Sequence, residues 1–195
     1  MITPYTTQSA ATIKQAILAG GVVSFPTDTL FALACDATND IAIERLFALK
    51  QRSIEKTAPI LVANLRQGME YAKFNDSALK LAEEYWPGAL TLVLPALKAR
   101  KLSKLAIRDE TTIGIRIPNH EVALHILKDC GVPLLGTSAN LVGGPNLNNA
   151  KEIERTLGSG LAMVITGGTP PNGIASTIIK VDDHGKTILR QGATQ

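Results

Sequence analysis

Apolar and polar residues alternate along this chain in short blocks whose spacing switches repeatedly between helical and extended. After polar Ser9, Ile13, Ala16 and Ile17 form an apolar stripe that stops at Gly20-Gly21, which predicts a helix capped by Ser9. Val22 to Phe25 is a short apolar run closed by Pro26, as expected of a buried strand. A helix beginning at Asn39 or Asp40 turns Ile43, Leu46, Phe47 and Leu49 inward and ends near Lys50 to Arg52, before a strand from Pro59 to Ala63. Asp76 caps a predicted helix through Tyr85, and Ala89 to Leu94 reads as a strand. Lys98 to Asp109 is polar and basic and reads as a loop. Thr112 to Ile117 has β character, Glu121 to Asp129 is helical up to Gly131, and Pro133 to Gly136 is a strand. A Gly/Asn-rich loop from Ser138 to Asn149 leads to a helix over Ala150 to Leu157. Leu161 to Thr166, Ser176 to Val181 and Lys186 to Arg190 are strands, the last two joined by the turn Asp182-Asp183-His184-Gly185.

Helices and strands alternate early and a hairpin closes the chain, so the pattern implies an α/β layered fold with a mixed sheet. No repeat, linker or low-complexity tract interrupts it, and residues 1–195 read as one domain. Aromatic residues are only 4% of the chain while hydrophobic residues are 45%, so the core must be aliphatic. No stretch approaches the ~20 apolar residues of a membrane span and no signal-peptide pattern opens the chain, which points to the cytoplasm. Twenty Lys and Arg against seventeen Asp and Glu leave a net charge of +3, compatible with an anionic substrate but weak for a nucleic-acid coat. Cys35 and Cys130 lack metal-ligand spacing, the three histidines form no HxxxH pair, and no metal site is expected.

The chain carries neither a GxxxxGK[ST] loop nor a GxGxxG turn. Bound phosphates would have to be held by side chains, for which Lys50, Arg52 and Lys56 are clustered past a helix end. Pro26-Thr27-Asp28-Thr29 places two hydroxyls and a carboxylate at a strand end, where α/β sheets bind ligands. Arg116 lies in an otherwise apolar strand with Thr112 and Gly114 on its side, a costly position unless it meets an anion. Thr137-Ser138-Ala139-Asn140 again follows a strand, and Ser176 and Arg190 add a hydroxyl and a guanidinium from the hairpin. Each alone reads equally well as a cap, a turn or a snorkelling side chain. Their joint position at element ends is the signal.

Those segments, with Lys50-x-Arg52, Trp86-Pro87-Gly88, Gly114-Ile115-Arg116-Ile117-Pro118 and Ile188-Leu189-Arg190-x-Gly192, resemble the YrdC/TsaC family of threonylcarbamoyl-AMP synthases over Gly20 to Gly192. The resemblance implies a twisted mixed sheet with flanking helices and a concave basic face. It implies a nucleotidyltransferase that joins L-threonine, bicarbonate and ATP, with Mg²⁺, into threonylcarbamoyl-AMP and pyrophosphate for tRNA threonylcarbamoyladenosine modification. The threonine pocket would be Thr29, Arg116, Ser138 and Ser176. ATP would meet Lys50, Arg52, Lys56, Thr112, Asn140, Asn148 and Arg190, with Lys50, Arg52, Ser138 and Asn140 as the catalytic set. Hand-over to TsaD, TsaB and TsaE-type partners and weak tRNA binding would follow. Departures from the family pattern include Ala32-Leu33-Ala34 in place of Gly-Leu-Gly, Ser53 in place of Pro, and a shift over Glu55 to Pro59. The alternative is a YciO-like RNA-binding paralogue without synthase activity, for which Lys98, Arg100, Lys101, Lys104 and Arg108 would supply phosphate contacts. A serine hydrolase is disfavoured because Asn140 replaces the second Gly of a Gly-x-Ser-x-Gly elbow.

Overall fold

The computed structural model describes residues 1–51, 58–97, 101–107 and 111–194. Its backbone is a ten-stranded mixed sheet with helices on both faces. In chain order the elements are β1 (Ile2–Pro4), α1 (Thr7–Leu18), β2 (Val23–Pro26), β3 (Phe31–Asp36), α2 (Asp40–Leu49), β4 (Ile60–Leu61), α3 (Leu65–Gly68) and α4 (Asp76–Tyr85). They continue as β5 (Leu90–Pro95), β6 (Thr112–Arg116), α5 (Glu121–Cys130), β7 (Leu134–Ser138), α6 (Ala150–Leu157), β8 (Met163–Thr166), β9 (Thr177–Asp182) and β10 (Gly185–Arg190). The strand order is β1-β8-β2-β3-β7-β4-β6-β5-β9-β10. β2–β3, β3–β7, β4–β7, β5–β6 and β9–β10 pair antiparallel, while β1–β8, β2–β8, β4–β6 and β5–β9 pair parallel.

The expected mixed sheet with flanking helices is therefore present, and β3 shows why both faces are covered. Successive side chains of a strand point to opposite faces. Phe31, Leu33 and Cys35 enter the core beneath α2 and α4, whereas Ala32 and Ala34 enter the core beneath α1 and α5. A strand covered on both sides needs apolar residues throughout, and all six residues of β3 are buried. This strand was not expected from the sequence, since its unbroken run carries no alternation and follows directly on the Pro26–Thr29 turn. β1 and the single-turn α3 were also not expected, being three and four residues long.

Three boundaries differ from expectation for local reasons. α1 is capped by Thr6, not Ser9: Thr6 Oγ1 accepts Ser9 N–H at 3.1 Å and Ser9 Oγ accepts Thr6 N–H at 2.8 Å, a reciprocal capping box. α4 is capped by Asn75, whose Oδ1 accepts Ala78 N–H at 2.9 Å, with Asp76 in the first turn. The strand expected over Pro59 to Ala63 is confined to Ile60–Leu61. α5 ends as expected at Gly131, whose φ of 70° is the left-handed conformation glycine adopts without penalty. Of the basic loop, Lys101 and Lys104 are exposed, whereas Lys98, Arg100 and Arg108 lie outside the described residues. Among the described residues no helix is long and apolar enough to cross a membrane.

Both cysteines are buried thiols. Burial pushes Cys35 up to about 12 and Cys130 up to about 11, and burial with a hydrogen bond to Asp129 pushes Tyr5 up to about 12. These groups keep protons that the unfolded chain releases from about pH 9 upward, so their contribution is complete below pH 9 and declines as pH rises through 11–12. The unfolding free energy measured in urea should fall between pH 8.5 and 10.5. Iodoacetamide at pH 8 should label both cysteines only after denaturation; native-state labelling would contradict the burial.

Candidate functional site

The site is built where β2, β6, β7 and β10 end and where β9 begins. Between β2 and β3 the chain turns tightly, with Thr27 N–H donating to Leu30 O at 3.2 Å and Thr27 Oγ1 donating to the same carbonyl at 2.6 Å. Because the Thr27 proton goes to Leu30, Thr29 supplies the proton in the 3.0 Å contact between the two hydroxyls. Thr29 Oγ1 in turn accepts from Arg116 Nη1 at 2.9 Å.

Arg116 meets its anion within the protein. Nη2 lies 2.6 Å from Asp28 Oδ1, and Nε donates to Gly88 O at 3.1 Å, from the turn that follows α4. Asp28 Oδ1 also accepts Asn119 N–H at 3.1 Å. Side-chain exposures of 8% for Arg116 and 17% for Asp28 make this a largely desolvated pair. Burial pulls the guanidinium down from its ordinary value, Asp28 opposes that, and Arg190 reinforces it. Arginine stays charged nonetheless. These contacts use three of its five N–H donors and leave one on each Nη nitrogen, the number that a bidentate carboxylate takes. The loop after β8 braces the same turn: Asn172 N–H donates to Asp28 O at 3.2 Å and Gly173 N–H to Thr29 O at 2.8 Å.

A second guanidinium comes from the sheet edge. The register between β9 and β10 shifts between Ile188 and Arg190. Arg190 reaches Ser176 O from Nε at 3.0 Å and from Nη2 at 2.8 Å, and Nη2 reaches Ser176 Oγ at 3.1 Å. Buried Thr91 Oγ1 contacts Ser176 Oγ at 3.0 Å. The C-terminal segment folds back on this region, with Gly192 N–H on Thr177 Oγ1 at 3.0 Å and Ala193 N–H on Ala175 O at 2.9 Å. A Cβ at Gly192 would collide with Ala175 O and the Ser176 backbone. Gly192 thus lets the tail lie flat and hold Arg190 in place. Gly192→Ala should weaken binding of a phosphate-bearing ligand several-fold by calorimetry while leaving the unfolding midpoint within a few degrees.

These residues enclose a cavity of about 400 Å³, within the range of small-molecule sites. Of the residues singled out from the sequence, Thr29, Arg116, Ser138, Ser176 and Arg190 line it. Its apolar wall includes Phe31, Ala32, Pro59, Leu61 and Ile178. A Cβ at Gly136 would sit 2.6 Å from Leu61 Cδ1, so glycine there lets Leu61 pack beneath the wall. Lys50 and Asn140 adjoin the cavity through Ser138. Thr112 and Asn148 do not line it: Thr112 begins β6, four residues before Arg116, and Asn148 is exposed beside the α6 cap. Asn146 lines the cavity instead. Arg52 and Lys56 lie outside the described residues. Thr91, Asn146 and the Gly88 carbonyl were not singled out from the sequence, and Asp28 was read as a carboxylate at a strand end without its pairing to Arg116.

No carboxylate stands on the described wall, and two guanidinium groups and several hydroxyls do. The fold and site define an α/β protein with a cationic, hydroxyl-lined cavity at its strand ends, the place where α/β sheets commonly bind ligands. Among the described residues no cluster of three or more His, Cys, Asp or Glu could hold a metal ion.

A family model designated Sua5_yciO_yrdC and described as "Telomere recombination" matches residues 15–192, and the chain belongs to this family. It is 33% identical over 183 residues to a threonylcarbamoyl-AMP synthase of Photobacterium profundum, covering 92% of this chain and 97% of that protein. It is 31% identical over 190 residues to the threonylcarbamoyl-AMP synthase of Bacillus subtilis, covering 97% of this chain but 54% of that protein. The chain thus spans about half the length of that relative and nearly all of the other. Its fold superposes on Pyrococcus abyssi Sua5 complexed with L-threonine with a TM-score of 0.92 and 28% identity, covering 98% of this chain and 57% of that one.

Proposed function

We propose that this chain is an L-threonylcarbamoyladenylate synthase: it converts L-threonine, bicarbonate and ATP into threonylcarbamoyl-AMP and pyrophosphate, the activated group for tRNA threonylcarbamoyladenosine. The observation that carries the reading is Arg116, a buried guanidinium oriented by Asp28, Thr29 and Gly88 O with two N–H groups remaining at a cavity of amino-acid size. The threonine carboxylate binds those two donors. Ser138, Ser176 and Thr29 supply polar contacts for its amine and hydroxyl.

The chemistry suits this wall. The threonine amine, having lost its ammonium proton, attacks the carbon of carbon dioxide derived from bicarbonate, and loss of a second proton from nitrogen to solvent leaves a carbamate. A carbamate oxygen then attacks the α-phosphorus, the bond to the bridging oxygen breaks, and pyrophosphate leaves. Negative charge grows on the α-phosphoryl and leaving groups, so fixed cations and positioning supply the catalysis. Arg190 is the described cation placed to receive phosphate oxygens; for Arg52 and Lys56 a phosphate role rests on the family resemblance alone. Mg²⁺ would travel with the ATP phosphates, since the described wall offers it no carboxylate. The product is labile, which favours a cytoplasmic reaction and hand-over to TsaD, TsaB and TsaE-type proteins, with weak tRNA contact through exposed Lys101 and Lys104.

The test is pyrophosphate release by the purified chain with ATP, Mg²⁺ and bicarbonate. Release that requires L-threonine is expected. A folded protein that releases none would point to the non-catalytic RNA-binding alternative.

A further inference from the structure

The loop that follows β7 is held by a buried ammonium. Lys50 closes α2, and the residue is only 3% exposed. Its Nζ lies 2.6 Å from Ser138 O, 2.9 Å from Asn140 O and 2.8 Å from Asn140 Oδ1. An ammonium carries three protons, and these three oxygens can accept one each. The backbone returns the tie, as Val142 N–H donates to Lys50 O at 3.2 Å.

This fixes the Asn140 amide. Oδ1 faces the ammonium, and Nδ2 donates to Gly144 O at 3.0 Å. A flipped amide would set NH₂ against the ammonium and one carbonyl against another. Ser138 Oγ lies 2.8 Å from the same Oδ1, which can only accept. The Ser138 hydroxyl proton therefore points at Asn140, and lone pairs are what Ser138 offers the cavity that it lines.

We propose that Lys50 is a positioning residue: through Asn140 it fixes the Ser138 hydroxyl as a hydrogen-bond acceptor toward the ligand, and it is not itself a phosphate ligand. This deepens the reading above and rests on it, the ligand's donor being the amine or hydroxyl of threonine. Arg116 offers donors to the carboxylate, Ser138 offers an acceptor, and a hydroxy amino acid is thereby oriented end to end. A phosphate oxygen, which only accepts, has no partner at Ser138.

Calorimetry on the full chain tests this, with L-threonine and, separately, inorganic pyrophosphate, for the wild type, Lys50→Met, Asn140→Ala and the double variant. Either single substitution should lower threonine affinity about tenfold, the scale of one hydrogen bond to a fixed partner. Pyrophosphate affinity should stay within about threefold, and the double variant should be no worse than the weaker single, because both act at one hydroxyl. Lys50→Met that loses pyrophosphate while keeping threonine overturns the proposal, as do additive losses in the double variant. If Lys50→Met does not fold, Asn140→Ala carries the same comparison: unchanged threonine affinity there overturns it. A wild type that binds pyrophosphate but not threonine sinks the substrate reading and the proposal together. Binding of both with the wrong ligand affected sinks the proposal alone.

Discussion

Arg116→Ala is expected to reduce threonine-dependent turnover by about a thousandfold or more. Two charge-assisted hydrogen bonds to a carboxylate are lost, each worth about 1.5–3 kcal/mol. The fold is expected to survive with reduced stability. Removing one partner of a buried ion pair costs about 3–5 kcal/mol, and Asp28, with 17% of its side chain exposed, should recover part of that from water. A loss of roughly 2–3 kcal/mol in urea unfolding is the expected result. Arg116→Lys should rescue neither property, because one ammonium cannot serve Gly88 O, Thr29, Asp28 and a ligand from their separate directions. Steady-state kinetics with a wild-type unfolding curve alongside checks both parts. Activity within tenfold of wild type in Arg116→Ala would remove the carboxylate assignment.

The second large effect is Arg190→Ala. Arg190 is held through Ser176, and among the described residues no carboxylate forms an ion pair with it. Its removal deletes a cation from the cavity rim and relieves repulsion on Arg116. The KM for ATP should rise about ten- to a hundredfold, with threonine affinity and unfolding midpoint little changed. If threonine affinity falls instead and ATP is unaffected, the two arginines have been assigned to the wrong substrates.

Much of this arrangement could be read from the sequence because the chemistry sits at places where strands end. Thr29, Arg116, Ser138, Ser176 and Arg190 are polar groups beside apolar runs, and all five reach one cavity. The partners that orient them were hidden for different reasons. The Gly88 carbonyl carries no side-chain signal. Thr91 sits inside the apolar strand β5, and only pairing of β5 with β9 brings it against Ser176, 85 residues away. Asp28 was visible as a polar turn residue, but its contact with Arg116 spans 88 residues and depends on sheet order.

Lys50 shows the same limit. A lysine at a helix end beside other basic residues reads as a solvent-facing cation. Tertiary packing instead carries its ammonium to the loop after β7, where it is buried against backbone oxygens. In the fold, β3 was missed because alternation vanishes when both faces of a strand are covered, whereas α2, α5 and α6 kept helical periodicity and clear stops. Thr112 and Asn148 share the polarity expected of ligand contacts, yet the strand direction of β6 and the cap of α6 keep both off the cavity wall.

The most direct test of the central reading is mass spectrometry of the product formed from L-threonine, ATP and ¹³C-bicarbonate. The account predicts an adenylate containing threonine and one added carbon, heavier by one ¹³C substitution than the product from unlabelled bicarbonate. An adenylate without the label, or pyrophosphate release with no threonine-containing product, would contradict it.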